Sequence, residues 1–308
     1  MAERNWNKKG ALPKGALPRI VAVDAGGVGI VSAYTEPSGG DPAAQLRGRR
    51  AQLVRVTGAG TETAYEGPGW ILAVDGVGAI WFAVIATLRS SGEGSDYRLL
   101  RSTDGGKRWT LQGALPAPSV AQVLAVNERQ AWVLGAGTLS ATNDGGQTWS
   151  AVHAPGSRNP TLERLRRAGN AVALLGRGEV LRSPNAGAGW FPLAVSGAQA
   201  EDFDGTHLAV TTSEGRAGIG RVENDRITWL TGLPEGRRPM RIASSGSTVR
   251  VLTRAEDPSQ GADLALYRSE DGGQSWSAVS LEGLRAEADI AGEYGLGVSL
   301  RGDLHGNL

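Results

Sequence analysis

The sequence has no cysteine, and only three histidines, three phenylalanines and two methionines among its 308 residues. Without cysteine there is no disulfide framework and no thiolate metal site. Three histidines leave little for a multi-histidine metal centre, and neither a metal nor any other cofactor is expected. No sign of charge dominates: 32 Lys and Arg against 31 Asp and Glu leave a formal net charge of +1. That balance excludes a strongly basic nucleic-acid binder as a reading of the whole chain, although a local basic patch stays open. No apolar run approaches the ~18 residues of a membrane span. The segment Met1 to Gly10 is polar and lacks the apolar core of a secretory signal, so a cytoplasmic location is expected, or an exported one if a leader has been removed. What remains is a chain with 40% hydrophobic residues, enough for a core, and 46 glycines, roughly twice average usage.

The glycines belong to a repeat. Ser102-Thr103-Asp104-Gly105-Gly106-Lys107-Arg108-Trp109 recurs as Thr142-Asn143-Asp144-Gly145-Gly146-Gln147-Thr148-Trp149 and as Ser269-Glu270-Asp271-Gly272-Gly273-Gln274-Ser275-Trp276. A weaker copy runs from Ser183 through Asn185 to Trp190. A degenerate one runs from Glu223 through Asp225 to Trp229, one residue short and without glycine. The tryptophans at 109, 149, 190, 229 and 276 are spaced by 40, 41, 39 and 47 residues, the length of one four-stranded propeller blade.

Short β-rich runs joined by Asp-Gly or Ser-Gly turns precede the boxes and read as hairpins. Examples are Val21 to Gly26 into Val28 to Ala33, Leu72 to Gly76 into Ala79 to Ile85, and Asp202 to Gly205 into His207 to Thr211. Asp24, Asp75 and Asp204 recur at one turn of these pairs and are expected to be hairpin residues. In the first blade Tyr65 is expected where the others carry Trp. The N-terminal Trp6-Asn7-Lys8-Lys9-Gly10-Ala11-Leu12-Pro13 parallels Trp109 to Pro116, with Gly-Ala-Leu-Pro at the same offset. The front of the chain is therefore expected to complete the last blade, which hides sheet edges. The fold class is all-β: a single seven-bladed β-propeller of four-stranded antiparallel blades spanning 1–308. Its blades are approximately 14–66, 67–112, 113–152, 153–193, 194–232, 233–279, and 280–308 with 1–13.

The repeat resembles the Asp-box, or bacterial neuraminidase repeat. The resemblance implies a structural turn in which Asp accepts backbone N–H groups, Gly takes positive φ and Trp leads the next strand. On this reading Asp104, Gly106, Trp109, Asp144, Gly146, Trp149, Asn185, Trp190, Asp225, Trp229, Asp271, Gly273 and Trp276 are structural, and no catalytic residue is assigned. The resemblance also implies that ligands meet the face built by the second-to-third-strand and blade-to-blade connections, opposite the boxes. The longest such connection is Tyr34 to Arg50, followed by Arg89 to Tyr97, Arg254 to Gly261, Val152 to Pro160 and Leu233 to Arg241. Arg47, Arg49, Arg50, Arg89, Arg158, Arg237, Arg238, Arg241 and Arg254 accumulate there. Guanidinium forks suit carboxylates, phosphates or acidic protein surfaces, and the lack of interleaved aromatics argues against single-stranded nucleic acid.

Propellers with this repeat divide into enzymes and binders. Arg19-Ile20 after Pro18 only faintly resembles the sialidase Arg-Ile-Pro signature, in the wrong order, and tyrosine is scarce. Xyloglucanase-type hydrolases cleave between two propellers. A glycosidase needs two carboxylates ~5 to 9.5 Å apart; Glu163, Asp202 and Asp289 are the candidates near inner strands, and no spacing pairs them. In size and blade count the chain is similar to the photosystem II assembly and stability factors, more than to the larger sortilin-type rings. The expected function is that of a non-enzymatic scaffold holding a protein or peptide partner, acidic in character, on an arginine-bearing face. The alternative is a carbohydrate-binding or glycoside-hydrolase-like propeller with a glycan as partner.

Overall fold

The computed structural model describes residues 17–23, 27–35, 37, 39, 41–89, 91, 94–116, 120, 122–135, 138–152, 164–168, 171–184, 189–212, 217–223, 226–256 and 264–279. The seventh blade expected from 280–308 with 1–13 lies outside them, as do Asp24, Asn185 and Asp225. Tertiary contacts group the chain into two units, Met1–His153 and Ala154–Leu308.

The first unit holds three antiparallel four-stranded meanders. They are β1 (Leu17–Val23), β2 (Gly29–Thr35), β3 (Arg50–Thr57) and β4 (Gly60–Pro68); β5 (Trp70–Val77), β6 (Ile80–Leu88), β7 (Ser95–Ser102) and β8 (Thr110–Ala114); and β9 (Gln122–Ala125), β10 (Ala131–Gly135), β11 (Thr138–Thr142) and β12 (Ser150–Ala151). Strand β6 shows why such sheets stack. Successive side chains point to opposite faces. Trp81, Ala83 and Ile85 join Ile30 and Leu53 of the sheet before, whereas Phe82 and Val84 join Val123 and Val133 of the sheet after. Both faces are apolar because both are covered.

The second unit begins with seven continuous strands: β13 (Arg164–Ala168), β14 (Ala171–Leu175), β15 (Arg177–Ser183), β16 (Phe191–Phe203), β17 (His207–Thr212), β18 (Ala217–Glu223) and β19 (Arg226–Leu230). The 13-residue β16 ends one four-stranded meander and opens the next. Its first half pairs with β15 and its second half with β17. A further meander comprises β20 (Arg237–Ser245), β21 (Thr248–Ala255), β22 (Leu264–Ser269) and β23 (Ser277–Val279).

The three full boxes form one turn. Asp104 Oδ1 accepts the Ser102 hydroxyl at 2.9 Å and the backbone N–H groups of Lys107 at 3.1 Å and Arg108 at 2.9 Å. Asp144 and Asp271 repeat this with Thr142, Gln147 and Thr148, and with Ser269, Gln274 and Ser275. The Ser or Thr hydroxyl accepts in turn from the N–H of Gly106, Gly146 or Gly273. The preceding glycine docks each turn on the first hairpin of its own sheet, Gly105 N–H to Ala79 O and Gly145 N–H to Arg129 O, both within 2.9 Å. These hydrogen bonds hold all three carboxyls below the usual carboxylate range. The main contributors are the Arg108 N–H for Asp104, the Thr148 hydroxyl for Asp144 and the Ser275 hydroxyl for Asp271. The folded protein thus binds these protons more weakly than the unfolded chain. The turns contribute their full stability above the unfolded value near 4 and lose it as the pH falls further. Thermal unfolding followed from pH 6 to pH 3 should therefore show a decline beginning near pH 4, shallower in a protein carrying both Asp144→Asn and Asp271→Asn.

Several expectations need correction. Trp109, Trp149 and Trp276 each precede an outer strand and pack towards the sheet before their own. Tyr65 lies inside β4, opposite Leu53, and packs towards the sheet after it. A tight β3–β4 hairpin, without a box loop, sets that different register. Trp229 is likewise inside its strand, paired with Gly220 and 51% exposed, because a two-residue connection joins β18 to β19. Asp204 does organise its hairpin, accepting from Thr206 and His207 N–H. Asp75 instead reaches across to the next sheet, where its Oδ2 accepts from Ala125 N–H at 2.9 Å.

One recurrent device was not legible. Arginines on third strands latch the following sheet: Arg55 Nε donates to Gly105 O at 2.7 Å, and Arg101 Nη2 to Glu128 O at 2.6 Å.

Candidate functional site

In the first unit the connection from β2 to β3 contains a helix, α1 (Pro42–Gly48), where the sequence reading saw only a long loop. Asp41 caps it by accepting from Ala44 N–H at 2.8 Å, and Pro42 follows the cap. Asp-Pro ahead of a helix is a legible start signal, and it was overlooked. Arg49 ends the helix, and its carbonyl accepts from Gly69 N–H at 2.9 Å. Gly69 alone joins β4 to β5. Its φ is +100°, and an added Cβ would stand 2.0 Å from Ala86 O, so this connection is pressed onto β6.

These segments enclose a recess of about 300 Å³ lined by Leu46, Arg47, Pro68, Gly69, Thr87, Leu88 and Arg89. It lies at the strand ends opposite the boxes. Arg49 stands over the Tyr34 ring, 4.7 Å from its centroid. Arg50 donates to Glu66 at 2.6 Å, and that bond lowers the Glu66 carboxyl below its ordinary value. Arg89 pairs with Asp96 at 3.0 Å, both exposed. Arg47 is exposed and has no ion-pair partner among the described residues. The structure therefore brings Arg47 and Arg89 to one recess and holds Arg49 and Arg50 beside the same helix end.

In the second unit the picture differs. Arg237, Arg238 and Arg241 are not in a loop: they lie on β20, and Arg254 lies on β21 opposite Arg238. All three pair with β21 in one antiparallel ladder, with a register shift between Pro239 and Arg241 and with Pro239 and Ile242 buried on either side of it. Arg158, Glu163 and Asp289 fall outside the described residues.

Arg238 and Arg241 instead join a network across three inner strands, β13, β16 and β20. Glu201 accepts from Arg238, and from Arg164 Nη1 at 3.3 Å, with its carbonyl also taking Arg164 Nη1 at 2.8 Å. Asp202 accepts from Arg166 Nε through Oδ1 and from Ile242 N–H through Oδ2 at 2.9 Å. Both carboxylates are almost completely buried. A register shift between Ala200 and Asp202 marks a β-bulge at Glu201, which frees this side chain from strict alternation. Comparable shifts occur in β1, β5 and β20, so the bulge is a repeated feature of inner strands. Asp202, a carboxylate candidate from the sequence, is thus committed to an arginine and a backbone N–H. Burial, together with nearby Arg166, lowers the Arg241 guanidinium to about 10, still charged at neutral pH. Among the described residues no group of three or more His, Asp or Glu could hold a metal ion. No described helix is long and apolar enough to cross a membrane.

No protein-family model matches the sequence, and no curated protein does. Among solved structures the chain is similar to YCF48 bound to D1 peptide, with TM-score 0.55 and 18% identity over 87% of this chain and 82% of that one. It is similar to YCF48 from Cyanidioschyzon merolae, with TM-score 0.55 and 16% identity over 95% and 92%. An ancestral GH74 enzyme aligns with TM-score 0.48 and 15% identity over 68% of this chain and 31% of its own. At these identities the likeness is one of fold, and that fold of stacked four-stranded antiparallel sheets is the β-propeller.

Proposed function

We propose that this protein is an interaction scaffold that holds a peptide segment of a partner protein on the loop face opposite the box turns. The observation that carries the reading is the recess beside α1. Leu46, Pro68 and Leu88 supply apolar lining, and Arg47 and Arg89 supply cations. An extended peptide that inserts one apolar side chain and places a carboxylate next to it satisfies both features. The structurally similar YCF48 bound to D1 peptide is a propeller with a peptide ligand, which supports this class of partner. The reading keeps 1–308 as one propeller, with 280–308 and 1–13 as its seventh sheet.

The test is binding of fluorescent peptides that combine acidic and aliphatic residues, measured by polarisation at several salt concentrations. Wild-type affinity should fall with salt. A protein carrying Arg47→Glu and Arg89→Glu should bind about tenfold or more weakly, chiefly through slower association. Both arginines are exposed, so the fold should be unaffected. Equal affinity in the variant at low salt would reject the recess as the site.

A further inference from the structure

The two cations of the recess in the first unit are not equivalent. Strand pairing sets Asp96 on β7 opposite Thr87 on β6, a lining residue, and Arg89 follows directly on Leu88, so Arg89 and Asp96 meet diagonally across the hairpin. The Arg89 backbone N–H donates to Gly94 O at 3.2 Å, and its side-chain Nε donates to Asp96 Oδ1 at 3.0 Å. No hydrogen bond to a described residue engages Arg89 Nη1 or Nη2, and Asp96 accepts from Arg89 alone among the described residues. Glu66, beside the same helix end, accepts from both Arg50 and Gln52 and is more firmly committed. The side chains of Arg89 and Asp96 are 56% and 60% exposed, and ion pairs so exposed add little to stability. The pair therefore contributes little to the fold, yet it occupies one of the two lining arginines. Arg47, the other, is exposed and has no ion-pair partner among the described residues.

We propose that Asp96 is a specificity-determining residue of the recess, an internal competitor for Arg89 that leaves Arg47 to select acidic partners. This role rests on the peptide reading above and adds how that site discriminates. A partner carboxylate that reaches the Arg89 fork finds a guanidinium already serving a carboxylate. It displaces Asp96 or binds against the charge of Asp96, and in either case the gain at Arg89 is largely cancelled. Arg47 has no such counterpart, so a carboxylate placed there forms a contact that replaces only water. A peptide without acid gains only the apolar lining of Leu46, Pro68 and Leu88, and one with an acid near Arg47 is favoured over it. Specificity is a difference between affinities, and it is built by a repulsive element as well as an attractive one. Here Arg47 attracts, and Asp96 restrains the general attraction of the recess for any acidic chain.

The experiment uses the full chain and a fluorescent peptide of aspartate and leucine residues, with affinity read by polarisation and association by stopped flow. Asp96→Asn should bind about three- to tenfold more tightly than wild type, with faster association and an unchanged melting temperature. Glu62→Gln removes the same charge from an exposed pair with Arg55, towards the other end of β4 from Pro68, and should bind like wild type. Arg89→Gln combined with Asp96→Asn should stay within about threefold of wild type, whereas Arg47→Gln alone should lose about tenfold. Asp96→Asn binding as wild type does, or more weakly, would overturn the proposal. So would an equal gain from Glu62→Gln, or a double variant as weak as Arg47→Gln. A wild-type protein that binds no such peptide would overturn the recess as a peptide site and the role of Asp96 with it. A loss in Arg47→Gln without a gain in Asp96→Asn would overturn the role of Asp96 alone.

Discussion

Asp202→Ala is expected to destabilise the second unit by about 3–5 kcal/mol, the usual cost of removing one partner from a buried ion pair. The Asp202 side chain is 4% exposed and Arg166 17%, so water cannot replace what is lost. The substitution strands the Arg166 guanidinium and also the Ile242 N–H, which Asp202 Oδ2 now takes at 2.9 Å. Asp202→Asn should cost less, because the amide oxygen still serves one of the two donors. Replacing both members, Arg166→Met with Asp202→Leu, should recover much of the loss, since a packed apolar pair avoids the desolvation of two charges. Urea unfolding monitored by tryptophan fluorescence measures all four proteins. If Asp202→Ala unfolds within 1 kcal/mol of wild type, by the same standard, the network is not a structural element and the account of the inner strands is wrong.

The second large effect separates two adjacent glycines. Gly106→Ala is expected to cost about 2–4 kcal/mol, the sum of positive-φ strain and overpacking. Its φ is +80°, and an added Cβ would stand 2.6 Å from Ile30 Cδ1, a side chain fully buried between two sheets. Gly105→Ala should cost only about 1–2 kcal/mol, the strain of an L-residue in this backbone region. At Gly105 φ is +74° and an added Cβ meets nothing within 4 Å. The two residues share one turn and similar φ, so the difference isolates packing from backbone strain. Equal losses would show that backbone conformation alone accounts for the paired glycines.

The box turns were legible because each is a local object. Every donor that Asp104 satisfies lies within four residues of it, and the spacing of Ser102, Asp104, Gly106 and Trp109 is itself the geometry. The apolar run Ala79 to Ile85 and the hairpin turns were legible for the same reason. The capped helix has a local signal in Asp41-Pro42, but a helix of seven residues carries too short an apolar pattern to stand out from a loop. The arginine face was only half readable. Nothing local distinguishes Arg47, which stays exposed at a recess, from Arg238, which turns to Glu201.

By itself the amino-acid order determined the repeat, the all-β class and the chemistry of the turns, since these depend on residues a few positions apart. Tertiary structure alone decided which charges meet. Arg164 and Glu201 are 37 positions apart, as are Glu201 and Arg238, and Asp202 finds its backbone partner 40 positions on. Such contacts follow from the angle and stagger at which one sheet stacks on the next and from a bulge at Glu201. Those are set by the summed packing of many side chains, and no short stretch of sequence carries them.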